Sequence, residues 1–149
     1  MSNASPTSQL CVVVYSDNFR LRRDAMGFVN VVEQLSERLD ATLTDFSYHT
    51  RENLEDEGDN FAYDQQNLGR LRQIALQEPL LDLMVWSTDG NHDPAWDIYA
   101  EMVDAKDIYG TRYVYVQFPH DLIRHLSEPS QFELIRGLFS SLNLLESVS

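Results

Sequence analysis

The run Leu80-Leu81-Asp82-Leu83-Met84-Val85-Trp86 decides how the rest of the chain is interpreted. It is apolar throughout except for Asp82, which is typical of a central strand that is covered on both faces. A polar turn over residues 87–93 follows it. A helix is then predicted to open at Pro94, and a second strand is predicted over residues 113–118. This segment therefore predicts the centre of a layered fold.

Strand and helix patterns alternate along the rest of the chain. Strands are predicted at 11–15 and at 41–49, and the second of these is expected to be an edge strand. Amphipathic helices are predicted at 21–39 and 64–77. A further amphipathic helix is predicted to begin at the capping box Ser130-Gln131-Phe132-Glu133. Four alternations favour the α/β class, a single layered domain with about four strands, mixed or parallel, packed with about four helices. The short connection before Ala41 also allows an antiparallel edge.

Length and composition are typical of one globular domain. The chain has 149 residues, 43% of them hydrophobic, which predicts a domain over 10–149 with a disordered tail at 1–9 and an acidic loop near 51–62. The single cysteine, Cys11, excludes an intrachain disulfide and suits a reducing compartment. No segment resembles a membrane span or a signal peptide, so we expect a cytoplasmic protein.

The formal charge of −13 is concentrated in the middle of the chain. Residues 40–109 contain 16 acids and 4 bases, a net of −12, whereas the remaining residues contain 8 acids and 7 bases, a net of −1. Such an imbalance repels nucleic acid and anionic membranes, and it steers a basic protein toward the chain. The alternative reading is that the charge only keeps the protein soluble.

Carboxylates form a row on the helix predicted from Pro94. At helical spacing, the row lies opposite an apolar side that includes Trp96, Tyr99 and Met102. We expect this row, together with the acids of the loop, to bind the partner. The predicted partner-binding residues are Asp93, Asp97, Glu101 and Asp104 of the row and Glu55, Asp56, Glu57 and Asp59 of the loop.

Three arginines, Arg20, Arg22 and Arg23, open the first helix, where the helix macrodipole disfavours positive charge. They require an acidic partner, either within the fold or bound to it. An anion site at this turn is conceivable, but the loop has no glycine to let a phosphate approach the backbone.

A second class of function, a small enzyme or ligand-binding domain, rests on the turns after the two central strands. If those strands were parallel neighbours, an acid/base or metal site would form from Asp89, His92, Asp93, His120 and Asp121. However, the chain has no P-loop, dinucleotide fingerprint, nucleophile elbow or helix-borne pair of zinc ligands. We therefore predict no catalytic residue, metal or cofactor.

The function predicted first is a non-catalytic acidic module that neutralises a basic, nucleic-acid-acting protein such as a toxin or defence enzyme. A small acidic α/β chain without catalytic motifs is the kind expected of an immunity protein or a phage-encoded inhibitor, a likeness of type that rests on no motif. The predicted partner-binding acids would mimic the phosphates of nucleic acid and steer association. A third possibility is a homo-oligomer. Its interface would be the tyrosine-bearing strand or the last helix, which is apolar up to Leu145.

Overall fold

The structure, a computed structural model, describes residues 9–17, 19–39, 41–50, 60–77, 80–87, 98–119 and 127–141. Residues 1–8 of the predicted tail and most of the predicted acidic loop lie outside these residues, whereas Gln9 belongs to the first strand. In chain order, the elements are β1 (Gln9–Tyr15), α1 (Leu21–Arg38), β2 (Asp45–Thr50), β3 (Phe61–Ala62), α2 (Gln65–Gln77), β4 (Leu80–Ser87), β5 (Ile98–Asp104), α3 (Lys106–Tyr109), β6 (Arg112–Pro119) and α4 (Glu128–Ser141). α3 is a single turn.

The described strands form one six-stranded sheet in the order β1-β6-β5-β4-β2-β3, and every neighbouring pair is antiparallel. The prediction of a mixed or parallel sheet of about four strands with about four helices is therefore wrong. The described residues contain three helices longer than one turn, α1, α2 and α4. The error has a local cause, because part of the segment predicted as a helix after Pro94 is strand β5. β4, β5 and β6 follow one another in the chain and pair antiparallel, whereas parallel pairing would have required a crossover connection between neighbouring strands.

β4 is an interior strand, as predicted, and pairs with β2 and β5. Leu83 and Val85 are fully buried in the main core. The register between β2 and β4 shifts at one point, where Thr50 pairs with Leu80 and His49 with Asp82. This irregularity is typical of a β-bulge, which re-aims the neighbouring side chains.

The helices lie on one face of the sheet. Buried residues of α1, α2 and α4 form a single hydrophobic cluster with alternate residues of the strands, such as Phe46, Leu83, Met102 and Val116. The helical pattern predicted over 21–39 is confirmed by α1, which packs against β4 and β5. Antiparallel sheets commonly bury one face in this way and leave the other for different contacts.

The start of α1 is held by a carboxylate from the sheet. Asp104, the last residue of β5, accepts a hydrogen bond at 2.9 Å from the backbone nitrogen of Leu21. Its other oxygen accepts one at 2.7 Å from Arg112 Nε on β6. The first amides of a helix have no partner within the helix, and this carboxylate accepts a hydrogen bond from one of them. Its negative charge also interacts favourably with the positive end of the helix dipole.

Two smaller predictions are refined by the structure. The last helix, α4, begins at Glu128. Ser127 caps it, since its hydroxyl accepts a hydrogen bond at 3.3 Å from the Ser130 backbone nitrogen, so the cap expected at Ser130 is wrong by one turn. β2 is not the outermost strand, because the two residues of β3 pair outside it.

Candidate functional site

The face of the sheet opposite the helices is rich in aromatic and acidic side chains. We call it the aromatic face. It consists of the strand residues that alternate with the core residues: Cys11, Val13 and Tyr15 of β1; Tyr113, Tyr115 and Gln117 of β6; Tyr99, Glu101 and Val103 of β5; Asp82, Met84 and Trp86 of β4; and Asp45, Ser47 and His49 of β2.

The strand register arranges these side chains in three rows across the sheet. The first row runs Cys11, Gln117, Tyr99, Trp86, Asp45; the second runs Val13, Tyr115, Glu101, Met84, Ser47; the third runs Tyr15, Tyr113, Val103, Asp82, His49. Glu101 therefore lies at the centre of the face. Most of the side chains are half-buried, and the exposed ones belong to β1.

Aromatic rings on this face contact one another across neighbouring strands. The ring centroids of Trp86 and Tyr99 are 6.4 Å apart, and those of Tyr99 and Tyr115 are 6.1 Å apart in an edge-on arrangement. Tyr15 and Tyr113 form a further pair at 5.9 Å. These separations are within the range of favourable aromatic pairs, so the rings form a pre-arranged surface that spans β4, β5 and β6.

His49 and Asp82 form a hydrogen-bonded pair on the third row. His49 Nδ1 lies 2.8 Å from Asp82 Oδ1 and 3.1 Å from Oδ2. An ionised carboxylate only accepts hydrogen bonds, so Nδ1 carries the proton and Nε2 remains as the second polar atom of the ring. The side chains are 21% and 9% exposed. The pair therefore holds an acid in a largely dry position.

Glu101 lies between Tyr115 and Met84 in the strand register. Burial raises the pKa of its carboxyl above the ordinary value, and the nearby Asp82 raises it further, while His49 lowers it. The charged form of Glu101 is therefore disfavoured in the free protein. A cation placed over this face would remove part of that penalty.

Tyr115 connects the centre of the face to β1. Its hydroxyl donates to Gln117 Oε1 and lies 3.2 Å from Cys11 Sγ. Burial raises the pKa of Tyr115 to about 12, with a contribution from the neighbouring Cys11. The phenol is thus neutral at physiological pH and available as a hydrogen-bonding group.

The acidic row predicted on a helix does not exist in that form. Glu101 and Asp104 lie on strand β5, and three positions along a strand put them on opposite faces. Glu101 is on the aromatic face, whereas Asp104 is on the helix side and caps α1. The other predicted partner-binding residues, Asp93, Asp97, Glu55, Asp56, Glu57 and Asp59, lie outside the described residues.

The alternative site at the strand ends is not described either. Asp89, His92, Asp93, His120 and Asp121 all fall in residues 88–97 and 120–126. In the described part of the chain, there is no group of three or more histidine, cysteine or carboxylate residues that is arranged to hold a metal ion.

The arginines at the start of α1 find their partners within the fold. Arg23 forms an ion pair with Asp24 at 2.8 Å, and Asp24 also accepts a hydrogen bond from the Arg20 backbone nitrogen at 2.9 Å. Arg22 donates to the backbone oxygen of Leu76 at 3.1 Å. With Asp104 on the first amide, this turn is built around carboxylates of the chain itself, which argues against the anion site considered from the sequence.

A cleft of about 450 Å³ lies between α1 and α2, on the helix side of the sheet. Asn30, Glu33, Gln65 and Arg72 line it beside apolar residues such as Leu68. Small-molecule sites are usually apolar with a few convergent polar groups. This cleft is largely polar, and its lining includes no residue of the aromatic face.

None of the described helices is long and apolar enough to span a bilayer. Comparison with known proteins found no match to any family model, to any curated protein or to any solved structure.

Local patterns indicated only part of the aromatic face. The strand predicted over 113–118 carries Tyr113 and Tyr115, and the alternation of Ile98, Ala100 and Met102 with Tyr99 and Glu101 also has the period of a strand. His49 had no local signal, because its contact with Asp82 depends on the pairing of β2 with β4.

Proposed function

We propose that this chain is a non-catalytic binding module that inhibits or neutralises a basic protein, and that the aromatic face is where the partner docks. The partner is an enzyme that acts on nucleic acid, such as a toxin or defence enzyme, and the chain works as an immunity protein or phage-encoded inhibitor does. One observation carries the proposal. The fifteen residues of the aromatic face include five aromatic residues and three carboxylates but no lysine or arginine.

The chemistry of this face fits cationic side chains. An arginine or lysine held over Trp86 or a tyrosine gains a cation–π interaction, and a nearby carboxylate accepts its hydrogen bonds. Tyrosine and tryptophan are also the residues that most often dominate the binding energy of protein interfaces. Glu101 at the centre of the face is the group best placed to receive such a cation.

The charge of the whole chain supports the same class of partner. A net charge of −13 accelerates the encounter with a basic surface and disfavours nucleic acid itself. Proteins that act on nucleic acid present basic surfaces to the phosphate backbone. The aromatic face, with its carboxylates and aromatic rings, would compete with nucleic acid for such a basic surface.

A peptide titration tests where a basic ligand docks. The probe is a short arginine-rich peptide at physiological salt, with a glutamate-rich peptide of the same length as the control. We expect NMR shift changes to concentrate on β4, β5 and β6 and on the Trp86 indole. Shift changes confined to the exposed faces of α1, α2 or α4, or equal effects of the two peptides, would refute the proposal.

A further inference from the structure

The two edges of the described sheet differ in kind. β3 closes one edge with only two residues, whereas β1 forms the other with seven, Gln-Leu-Cys-Val-Val-Val-Tyr. β1 has no charged residue, proline or glycine, and it pairs with β6 without a register shift. Natural edge strands are usually protected by charge, proline, a bulge or shortness, because an unprotected edge pairs with another strand. β1 has none of these protections.

β1 also presents exposed apolar side chains. Val13 is 41% exposed and Tyr15 is 70% exposed, and both belong to the few large hydrophobic residues exposed in the described structure. Cys11, on the same side of the strand, is exposed as well. Among the described strands, only β6 pairs with β1. Within the described residues, the outer edge of β1 therefore combines a backbone that no strand pairs with and exposed apolar side chains.

We propose that β1 pairs with β1 of a second copy of this chain, antiparallel and around a two-fold axis at Val13. In this register, Val13 lies opposite Val13 of the other copy, Val12 opposite Val14, and Cys11 opposite Tyr15. The axis is perpendicular to the sheet, so the two helix layers lie on one side and the two aromatic faces join on the other. The product is one continuous sheet made of two six-stranded halves.

Charge favours a second copy over a basic partner at this edge. Two chains of net charge −13 repel each other through their carboxylates, and the repulsion is smallest where the surface is neutral. β1 is neutral, and so are residues 113–118 of the adjacent strand. A basic protein would gain no ion pair from this neutral edge. A two-fold interface needs only a self-complementary patch, and a run of valines provides one.

A cysteine at the two-fold axis tests the register. In antiparallel strands, directly opposite Cα atoms are about 4.5–5.5 Å apart, which fits a disulfide. Val13→Cys in a Cys11→Ser background should therefore give a covalent dimer in nearly all molecules on mild oxidation. Cys11 of the unmodified protein should not crosslink, because at about 3.4 Å per residue the two Cys11 residues are about 14 Å apart along the strands.

Light scattering on the full chain tests the dimer without crosslinking. We expect a mass of twice 17.2 kDa for the unmodified protein. Val13→Lys should give the monomer mass, since two lysines would face each other across the axis. Leu76→Lys, a change at a 65% exposed position on α2, is the matched control and should remain dimeric.

Three results would overturn the proposal. They are a monomer mass for the unmodified protein at every concentration, a dimer that survives Val13→Lys, and crosslinking of Val13→Cys no greater than that of Cys11. The crosslinking result does not depend on Val13→Lys folding normally. None of these outcomes bears on whether the aromatic face binds a basic protein.

Discussion

Asp82 on β4 lies directly opposite His49 on β2, and its Oδ1 is 2.8 Å from His49 Nδ1. The residues are 33 positions apart in sequence, and the carboxylate is only 9% exposed. The acid that interrupts the apolar run of β4 is therefore a paired group on the aromatic face. A buried carboxylate of this kind depends strongly on its partner.

Removing the histidine should destabilise the fold. His49→Ala leaves Asp82 without its hydrogen bond, and we expect the free energy of unfolding to fall by about 1–3 kcal/mol. Asp82→Asn in the His49→Ala background should recover part of this loss, because a neutral amide is less costly to bury than a charge. Urea denaturation of the two single variants and the double variant completes the cycle, and strictly additive losses would show that the two residues are not coupled.

The cap of α1 gives a second stability prediction. Asp104→Ala removes the carboxylate that accepts hydrogen bonds from the Leu21 amide and from Arg112. The free energy of unfolding should therefore fall by about 1–2 kcal/mol. Asp17→Ala is the matched control, because Asp17 is 63% exposed and contacts Arg112 and Lys106 only at 3.2–3.3 Å. Its loss should cost much less than the loss of Asp104, and the effect should disappear at high salt. Equal losses for the two variants would remove the special role of Asp104.

Glu101 gives a prediction about pH. Burial and Asp82 raise the pKa of this carboxyl in the folded state, so between its ordinary and its raised pKa the folded protein binds more protons than the unfolded one. Stability therefore falls as the pH rises through that interval. Glu101→Gln should be more stable than the unmodified protein at neutral pH, and the difference should vanish at a pH below the ordinary glutamate value.

The measurement is the urea midpoint of Glu101→Gln and of the unmodified protein from acid to neutral pH. Glu37→Gln is the control, since it makes the same chemical change at an exposed position of α1. A Glu101→Gln variant that is less stable at neutral pH would show that the charged carboxylate is a favourable part of the free fold.

Strand and helix positions with one clear period were predictable from the sequence. Local patterns indicated the positions of six elements, which are β1, α1, α2, β4, β6 and α4. β5 was missed because Tyr99, Met102 and Val103 satisfy helical spacing as well as the alternation of a strand, and Asp93-Pro94 resembles a helix start. The choice is made by hydrogen bonds to β4 and β6, which no local pattern contains.

The direction of the strands was not predictable for the same reason. Once β5 follows β4 as a strand, the pair is antiparallel, and the expected parallel layers disappear. The composition of the candidate site also depends on this strand pairing. Glu101 was named from the sequence, but its neighbours Tyr115 and Met84 come from other strands, and Asp104 turned out to serve α1.

Binding to the natural partner tests whether the aromatic face is the docking surface for a basic protein. The chain is used to capture proteins from its native host at low and moderate salt, and the partner is then purified. We expect a basic protein whose dissociation constant rises at least about tenfold for the double variant Tyr115→Ala, Glu101→Gln, since loss of one hot spot costs about 2 kcal/mol or more and about 1.4 kcal/mol is tenfold. Glu37→Gln should bind within about twofold of the unmodified protein, because a single exposed charge on the helix side contributes little. Recovery of no basic protein at either salt concentration, or binding of the partner by the double variant as tightly as by the unmodified chain, would refute the proposed function.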